Sequence, residues 1–460
     1  MKRISIKLEK EIAKVNLPNN TEILSITSPE QLSDPAFSIQ KALEDSIGKL
    51  GLDKIIEQKL KKNPQAKTAI VISDNTRPVP YKGKAGILWP IIERLLAKNI
   101  SHDRILILVA TGTHRSLSEE ELRKMLDPRI FDHRIPIKNH NCRNKNNLVY
   151  LGETNRGSSV YINRDYIEAD IKILTGLVET HFMAGASGGR KSICPGLIGE
   201  ESIYIFHGAP MLASPKASDL IIDDNPCHQE SLELAKKAGT DYILNVTLDQ
   251  DFKLTGVFAG DLEEAHEQAV KQIKKYVTIP LDKEYDIVIT HAGFVGINHY
   301  QAAKAAVVAI PALKPKGKLI MIANNNDKDL IGSEKYKAVL HLLKIIGAKQ
   351  FNHLILLPDW TFVPDQWQVQ MWTRLFSKIP PENFIYYSPR LSFNDYKIIP
   401  GVDGNIFLPR SERYKGNFKN AAQVIEKAVE EAIYELKSAG QEKIRIAYLA
   451  DGPYGVLQKN

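Results

Sequence analysis

Short apolar, β-branched runs that alternate with helical stretches constrain this chain more than any other feature. The strand candidates are residues 68–73 (TAIVIS), 105–110 (ILILVA), 171–176 (IKILTG), 242–247 (YILNVT), 286–291 (DIVITH), 318–323 (KLIMIA), 353–358 (HLILLP) and 445–450 (RIAYLA). Helical spacing of apolar residues marks 84–98, 261–276, 299–310, 364–378 and 420–437. Strands that are apolar throughout, with helices between them, predict parallel sheets covered on both faces. The expected fold class is therefore α/β, with two domains of mainly parallel sheet flanked by helices. The stretch 277–284 (VTIPLDKE) follows a long amphipathic helix and precedes a fresh strand–turn–helix, so the boundary is placed there. The expected domains are 1–276 and 285–440. Residues 441–460 form a terminal strand and tail that either completes the second sheet or returns to the first domain. The first sixty residues carry little chemical signal.

Composition excludes several classes of function. The net charge of +7 comes from 61 basic and 54 acidic residues, with no basic block and no interleaving of aromatic with basic residues. No nucleic-acid surface is expected, and a mild positive excess suits small anionic ligands. The three cysteines, Cys142, Cys194 and Cys227, form no CxxC pair, which points to a reducing compartment rather than a disulfide framework. The start, MKRISIKLEK, has no apolar core like that of a secretory signal. The apolar run from Ala305 to Leu313 is too short to span a bilayer. A cytoplasmic enzyme with no membrane partner is expected.

Four polar clusters directly follow strand candidates, where ligands bind in open parallel sheets. The first is Asp74-Asn75-Thr76-Arg77-Pro78. Arg77 either presents its planar fork to a carboxylate or phosphate, or pairs with Asp74 to close a turn. The second is Ala110-Thr111-Gly112-Thr113-His114-Arg115, in which His114 is either an acid/base group or a cap for a helix starting near Ser118. The third runs from Thr180-His181 through Ser187-Gly188-Gly189-Arg190-Lys191. Its glycines offer unpaired backbone N–H groups to an anion, although Arg190 breaks the G-x-x-x-x-G-K-[ST] pattern. His207, sixteen residues past Lys191, is a candidate ligand for a borderline metal. The fourth joins His291-Ala292-Gly293-Phe294 to Asn298-His299-Tyr300-Gln301 and Lys304. A helix from His299 places Gln301 and Lys304 on one face, with the lysine either snorkelling from a packed surface or pointing into a site. Asp132-His133, His140 and Cys142 match no zinc spacing, and their Arg-, Lys- and Asn-rich surroundings predict a solvated loop. HExxH and GxSxG motifs are absent.

Taken in order, Asp74-x-x-Arg77, Thr113-His114, His181, Gly188-Gly189-Arg190-Lys191, His207 and Gln301-x-x-Lys304 resemble the nickel-dependent lactate racemase family, with Gln366-Trp367 as a seventh element. The resemblance covers roughly residues 70 to 370. It implies a racemase or epimerase of a small 2-hydroxy acid, with the active site in an inter-domain cleft. It also implies a nickel-pincer nucleotide (a pyridinium-3,5-bisthiocarboxylic acid mononucleotide holding nickel) bound covalently to Lys191, and cofactor-biosynthesis proteins for maturation. By the same resemblance His207 is the protein ligand to nickel, and His114 and His181 are the acid/base pair. Arg77, Lys304, Gln301, Tyr300 and Trp367 bind substrate, while Asp74, Ser187, Gly188 and Gly189 seat the cofactor. Departures from the family's usual pattern are Ser116-Leu117 after the Thr-His-Arg run, where relatives often have Pro-Met, and Met183 just past His181. Two other readings compete. A nucleotide-dependent kinase or synthetase would use the Ser187–Lys191 turn for phosphate. A non-catalytic nickel- or cofactor-binding protein would need Lys191 and His207 but not both acid/base histidines.

Overall fold

The computed structural model describes residues 1–8 and 11–459. The chain divides into two compact units, Ser28–Tyr276 and Met1–Thr27 together with Val277–Asn460.

The unit Ser28–Tyr276 is built on a six-stranded sheet. Its spatial order is Leu254–Gly260, Tyr242–Leu248, Ile171–Leu177, Thr68–Ser73, Ile105–Ala110 and Ile137–Asn139. Every pairing is parallel except that of Leu254–Gly260, which runs antiparallel to Tyr242–Leu248. All of the central strand Thr68–Ser73 except Ser73 is buried. Successive side chains point to opposite faces, so this strand is covered on both, as its unbroken apolar run requires. On one face Ile70, Ile72, Ile107, Val109 and Ile173 pack with Ile91, Ile92 and Leu95 of the helix Leu88–Ala97.

The other unit holds a second six-stranded sheet, ordered Val402–Asp403, Phe384–Tyr387, Leu313–Ile322, Tyr285–His291, Ile446–Leu449 and Thr21–Leu24, parallel throughout. One placement here differs from the sequence expectation, and another takes one of two alternatives that the sequence leaves open. The first 27 residues belong with this unit and not with the first domain. The hairpin Lys2–Leu8/Glu11–Leu17 turns Ile4, Ile6, Val15 and Leu17 onto the helix Asn420–Ser438, and Thr21–Leu24 extends the sheet beside Ile446–Leu449. The terminal strand stays in this sheet, and Val456–Lys459 pairs with Thr278–Leu281.

Residues 353–358, expected as a strand, instead carry the end of the helix Glu334–Ile355 and the turn after it. This helix is kinked at Gly347, and past the kink Ala348, Phe351 and Ile355 form its buried face, while Leu356 and Leu357 are exposed. A short apolar run does not by itself separate helix from strand. The strand that does pair with Leu313–Ile322 is Phe384–Tyr387, whose four residues are too few to stand out in the sequence. Among the described residues no helix is long and apolar enough to cross a membrane.

Candidate active site

Neighbouring parallel strands in register, Ser73 opposite Ala110, deliver the first two polar loops side by side. Asp74 leaves the first strand and is buried. Its Oδ1 accepts from the Thr76 amide at 3.1 Å and the Thr76 hydroxyl at 2.5 Å, and its Oδ2 lies 2.6 Å from Nδ1 of His114. Burial works to raise the Asp74 carboxyl. The hydrogen bond and charge of His114, the Thr76 hydroxyl and Arg77 outweigh it and leave the group below its ordinary value. The carboxylate therefore stays ionised and takes the Nδ1 proton of His114 as a charge-assisted bond. In the neutral ring Nε2 is then bare, on a side chain that is 51% exposed. His114 does not cap the following helix; Ser118 does so through a capping box with Glu121. Asp74, expected at the cofactor, is here the partner of His114. Gly112, with φ of 55°, donates its amide to the Gly196 carbonyl at 3.1 Å, and a Cβ there would stand 3.2 Å from the Pro195 carbonyl oxygen.

His181 sits on a two-residue ladder, Thr180–His181 against Gly185–Ala186, just past the strand Ile171–Leu177. Its Nδ1 accepts from the amides of Met183 at 3.3 Å and Ala184 at 3.2 Å. The neutral ring consequently carries its proton on Nε2, the reverse of His114. That Nε2 lies 3.4 Å from Nζ of Lys191. With the imidazole proton on this side, the lysine is the acceptor, which requires an unprotonated amine. Its electrostatics agree. Lys191 is partly exposed, but dense surroundings first, and then the charges of Arg190 and Arg77, bring its ammonium down to about 7. Among the described residues no carboxylate pairs with it, and its Nζ stands 5.1 Å over the Phe206 ring. His207 follows directly, closing the helix Glu200–Phe206. Burial, then the charges of Lys191 and His114, hold its imidazole well below the ordinary value, in the neutral form that binds metals.

The Ser187–Lys191 turn differs from the open anion cradle expected of it. The Ser187 amide donates to the Glu179 carbonyl at 2.9 Å, and the Gly189 amide to Oδ1 of Asn245 at 2.8 Å. The Ser187 hydroxyl donates to the Leu177 carbonyl at 2.8 Å. Two of the amides assigned to the cofactor thus hold the turn against the sheet instead. Gly188 and Gly189 are needed for close packing: a Cβ would meet Val178 at 2.7 Å in the first case and His266 at 2.9 Å in the second. Arg190 is fully buried and donates to the carbonyls of Ala184 at 2.9 Å and Ala186 at 3.0 Å, with Nη1 2.7 Å from Nε2 of His266. Burial pulls its guanidinium down to about 9. Nε of Arg77 forms an ion pair with a carboxylate oxygen of Glu179 at 3.1 Å, and its Nη1 donates to the Thr76 carbonyl at 3.3 Å. Glu179, Asn245 and His266 are not among the residues the sequence singles out. Only Glu179 carries a signal there, as an acid inside the polar run after a strand.

The remaining predicted site residues lie on the other unit. Tyr300, Gln301 and Lys304 share the helix His299–Ala309, capped by Asn298, whose side chain accepts from the Gln301 amide at 2.9 Å. Gln301 and Lys304 are half-buried on one face of that helix. Tyr300 accepts from Trp367 Nε1 at 2.6 Å, while Gln366 accepts from the Trp360 indole and the Val363 amide. His140 and Cys142, expected in a solvated loop, are buried. His140 follows the edge strand Ile137–Asn139 inward, with Nε2 3.0 Å from the Ile198 carbonyl, and burial brings it down to about 4. Among the described residues no group of three or more His, Cys, Asp or Glu side chains is placed to hold a metal ion. A nickel ion at His207 would need its other ligands from a cofactor, and the neutral imidazole of His207 fits as a protein ligand beside them.

A family model described as the lactate racemase N-terminal domain matches residues 8–219, and one described as the lactate racemase C-terminal domain matches residues 281–387. The chain is 34% identical to a lactate racemase from Lactiplantibacillus plantarum over 341 residues, 74% of this chain and 77% of that protein. It is 31% identical to a lactate racemase from Thermoanaerobacterium thermosaccharolyticum over 339 residues, 73% of this chain and 76% of that protein. The solved lactate racemase apoprotein from the latter organism matches with a TM-score of 0.81 at 25% identity, covering 99% of this chain and 100% of the other. A Thermotoga maritima protein with a TM-score of 0.56 and 14% identity shares the fold alone.

Proposed function

The chain belongs to the lactate racemase family and is an isomerase, and we propose that it racemises or epimerises a small 2-hydroxy acid, lactate or a larger one, by reversible removal of the C2 hydrogen as hydride. The observation that carries this reading is the presence of two oppositely prepared imidazoles, one of them beside a lysine whose ammonium is brought down to about 7. His114, held by Asp74, offers a bare Nε2 that takes the hydroxyl proton of one enantiomer. His181, held by two backbone amides, offers an Nε2–H that returns a proton to the other. For the reverse reaction the roles exchange, so each hand of the substrate has its own acid/base group.

Lys191 is proposed to carry the nickel-pincer nucleotide covalently, and His207 to ligate its metal. When bound, this group supplies an electrophilic acceptor for the C2 hydrogen and its electron pair. The C2 hydrogen of a 2-hydroxy acid is very weakly acidic, which is why imidazoles alone do not suffice. Arg77 and Lys304 are proposed to bind the carboxylate, with Gln301, Tyr300 and Trp367 contributing to the substrate side. The cytoplasm is the proposed compartment, in keeping with three buried free thiols. The kinase or synthetase reading is disfavoured by the closed amides of Ser187 and Gly189, which leave a phosphate few donors.

The test is the intact mass of protein produced with the cofactor-biosynthesis system, with peptide mapping and polarimetry on lactate. The mass should exceed that of the chain by one nucleotide adduct at Lys191, and Lys191→Ala should lose adduct and racemisation together. A Lys191→Ala protein that racemises without an adduct would end the reading.

A further inference from the structure

Glu179 has no part in the chemistry described above, yet it is fixed more firmly than a surface acid needs to be. Its amide donates to the Ser187 hydroxyl at 3.0 Å and its carbonyl accepts from the Ser187 amide at 2.9 Å. The backbone of Glu179 is thereby locked to the turn that presents Lys191. Its carboxylate takes Nε of Arg77 at 3.1 Å, while Nη1 of the same guanidinium reaches the Thr76 carbonyl at 3.3 Å. Both side chains are partly buried, at 24% and 35% exposure, so water screens the pair less than it would on an open surface. Among the described residues nothing else bonds the guanidinium, so Nη2 and the second Nη1 proton are unused. An arginine carries large rotamer freedom, and a fork held by one edge in advance loses less of it on binding.

We infer that Glu179 is a positioning residue: it holds Arg77 by its Nε edge so that the Nη1–Nη2 end is left for the substrate carboxylate. This rests on the assignment of Arg77 to the carboxylate. Glu179 touches no substrate atom itself, and it acts only through Arg77.

The test is a double-mutant cycle on cofactor-loaded enzyme with lactate as the probe, comparing Glu179→Ala, Arg77→Ala and the double variant. Glu179→Ala should raise KM by roughly three- to tenfold, the range expected for freeing one rotamer-rich side chain, with kcat little changed. Glu179→Gln, which keeps an acceptor for Nε, should fall between it and the parent enzyme. Arg77→Ala should raise KM further, and adding Glu179→Ala to it should change nothing more. An unchanged or lowered KM in Glu179→Ala, beside a raised KM in Arg77→Ala, would overturn the inference and leave the role of Arg77 standing. A KM unaffected by Arg77→Ala would instead remove the assignment on which the inference rests.

Discussion

Both units carry histidines at or after the carboxyl end of a parallel strand, and use them in opposite ways. In Ser28–Tyr276, His114 and His181 each spend one ring nitrogen on a fixed partner, Asp74 or a pair of backbone amides, and keep the other toward the site. In the other unit, His291 bonds the Ala450 carbonyl through Nε2 at 2.8 Å and accepts from the Gly293 amide at 3.1 Å. His299 is stacked on Trp372 with centroids 4.5 Å apart and bonds the Tyr336 hydroxyl. Burial lowers both, to about 3 for His299, so each serves as a neutral packing group. Position after a strand therefore does not make a histidine functional. What separates the pairs is burial: the rings of His114 and His181 stay partly open, whereas those of His291 and His299 are buried.

Substitution should bring out this contrast. His114→Ala or His181→Ala should lower racemisation by about a hundredfold to ten-thousandfold, the usual worth of a placed acid/base group. The melting temperature should hardly move, because neither ring is part of a packed core. His299→Ala should do the reverse to stability, costing about 2–4 kcal/mol in a denaturant titration by opening a cavity beside Trp372. Equal losses of stability at His114 and His299 would erase the distinction.

A smaller effect is expected at Asp74. Asp74→Asn keeps a hydrogen-bonding side chain but removes the carboxylate that holds Nδ1–H, so racemisation should fall about ten- to a hundredfold. Its signature lies in the saturating rates. With an equilibrium constant of one between enantiomers kcat/KM must fall equally in both directions, so the imbalance appears in kcat, measured at saturating D- and L-lactate by chiral chromatography. An Asp74→Asn protein with kcat unchanged in both directions would show that Asp74 does not act through His114.

The mildest test concerns Lys191 before it is loaded. A neutral amine is the reactive form, and its fraction grows as pH rises through the group's value. With that value lowered to about 7, acylation of Lys191 in the cofactor-free protein should be half-maximal near neutrality. Surface lysines should need pH values near 10, an unperturbed ammonium's range. Peptide mass spectrometry after a brief anhydride pulse at several pH values reads this directly. A Lys191 profile that tracks the surface lysines would contradict the preparation of this amine.

Much of the molecule is legible in the sequence where its chemistry is local. Four strands of the first sheet can be read because each is dominated by apolar, β-branched residues, and the polar loops after three of them contain Asp74, Arg77, His114, His181 and Lys191. What escapes reading depends on distance along the chain. The closed state of the Ser187–Gly189 turn depends on Asn245, 56 residues past Gly189. The first 27 residues look like the start of the first domain, but their apolar faces find partners in the helix Asn420–Ser438 and the strand Ile446–Leu449. The stretch holding His140 and Cys142 looks solvated because charged residues surround it, although the two side chains themselves face inward. Residues 353–358 mislead for a different reason, since an apolar hexamer satisfies both periods until its neighbours are known.

The path of the C2 hydrogen separates hydride transfer from proton abstraction. In the hydride mechanism His114 and His181 move the hydroxyl proton, and the carbon-bound hydrogen leaves and returns without reaching solvent. Lactate deuterated at C2 and racemised to equilibrium in ordinary water should therefore keep its label, and unlabelled lactate in deuterated water should gain almost none, both read by proton NMR and mass spectrometry. Exchange of C2 with solvent as fast as racemisation would mean that the imidazoles remove that proton themselves, and the hydride mechanism would be wrong.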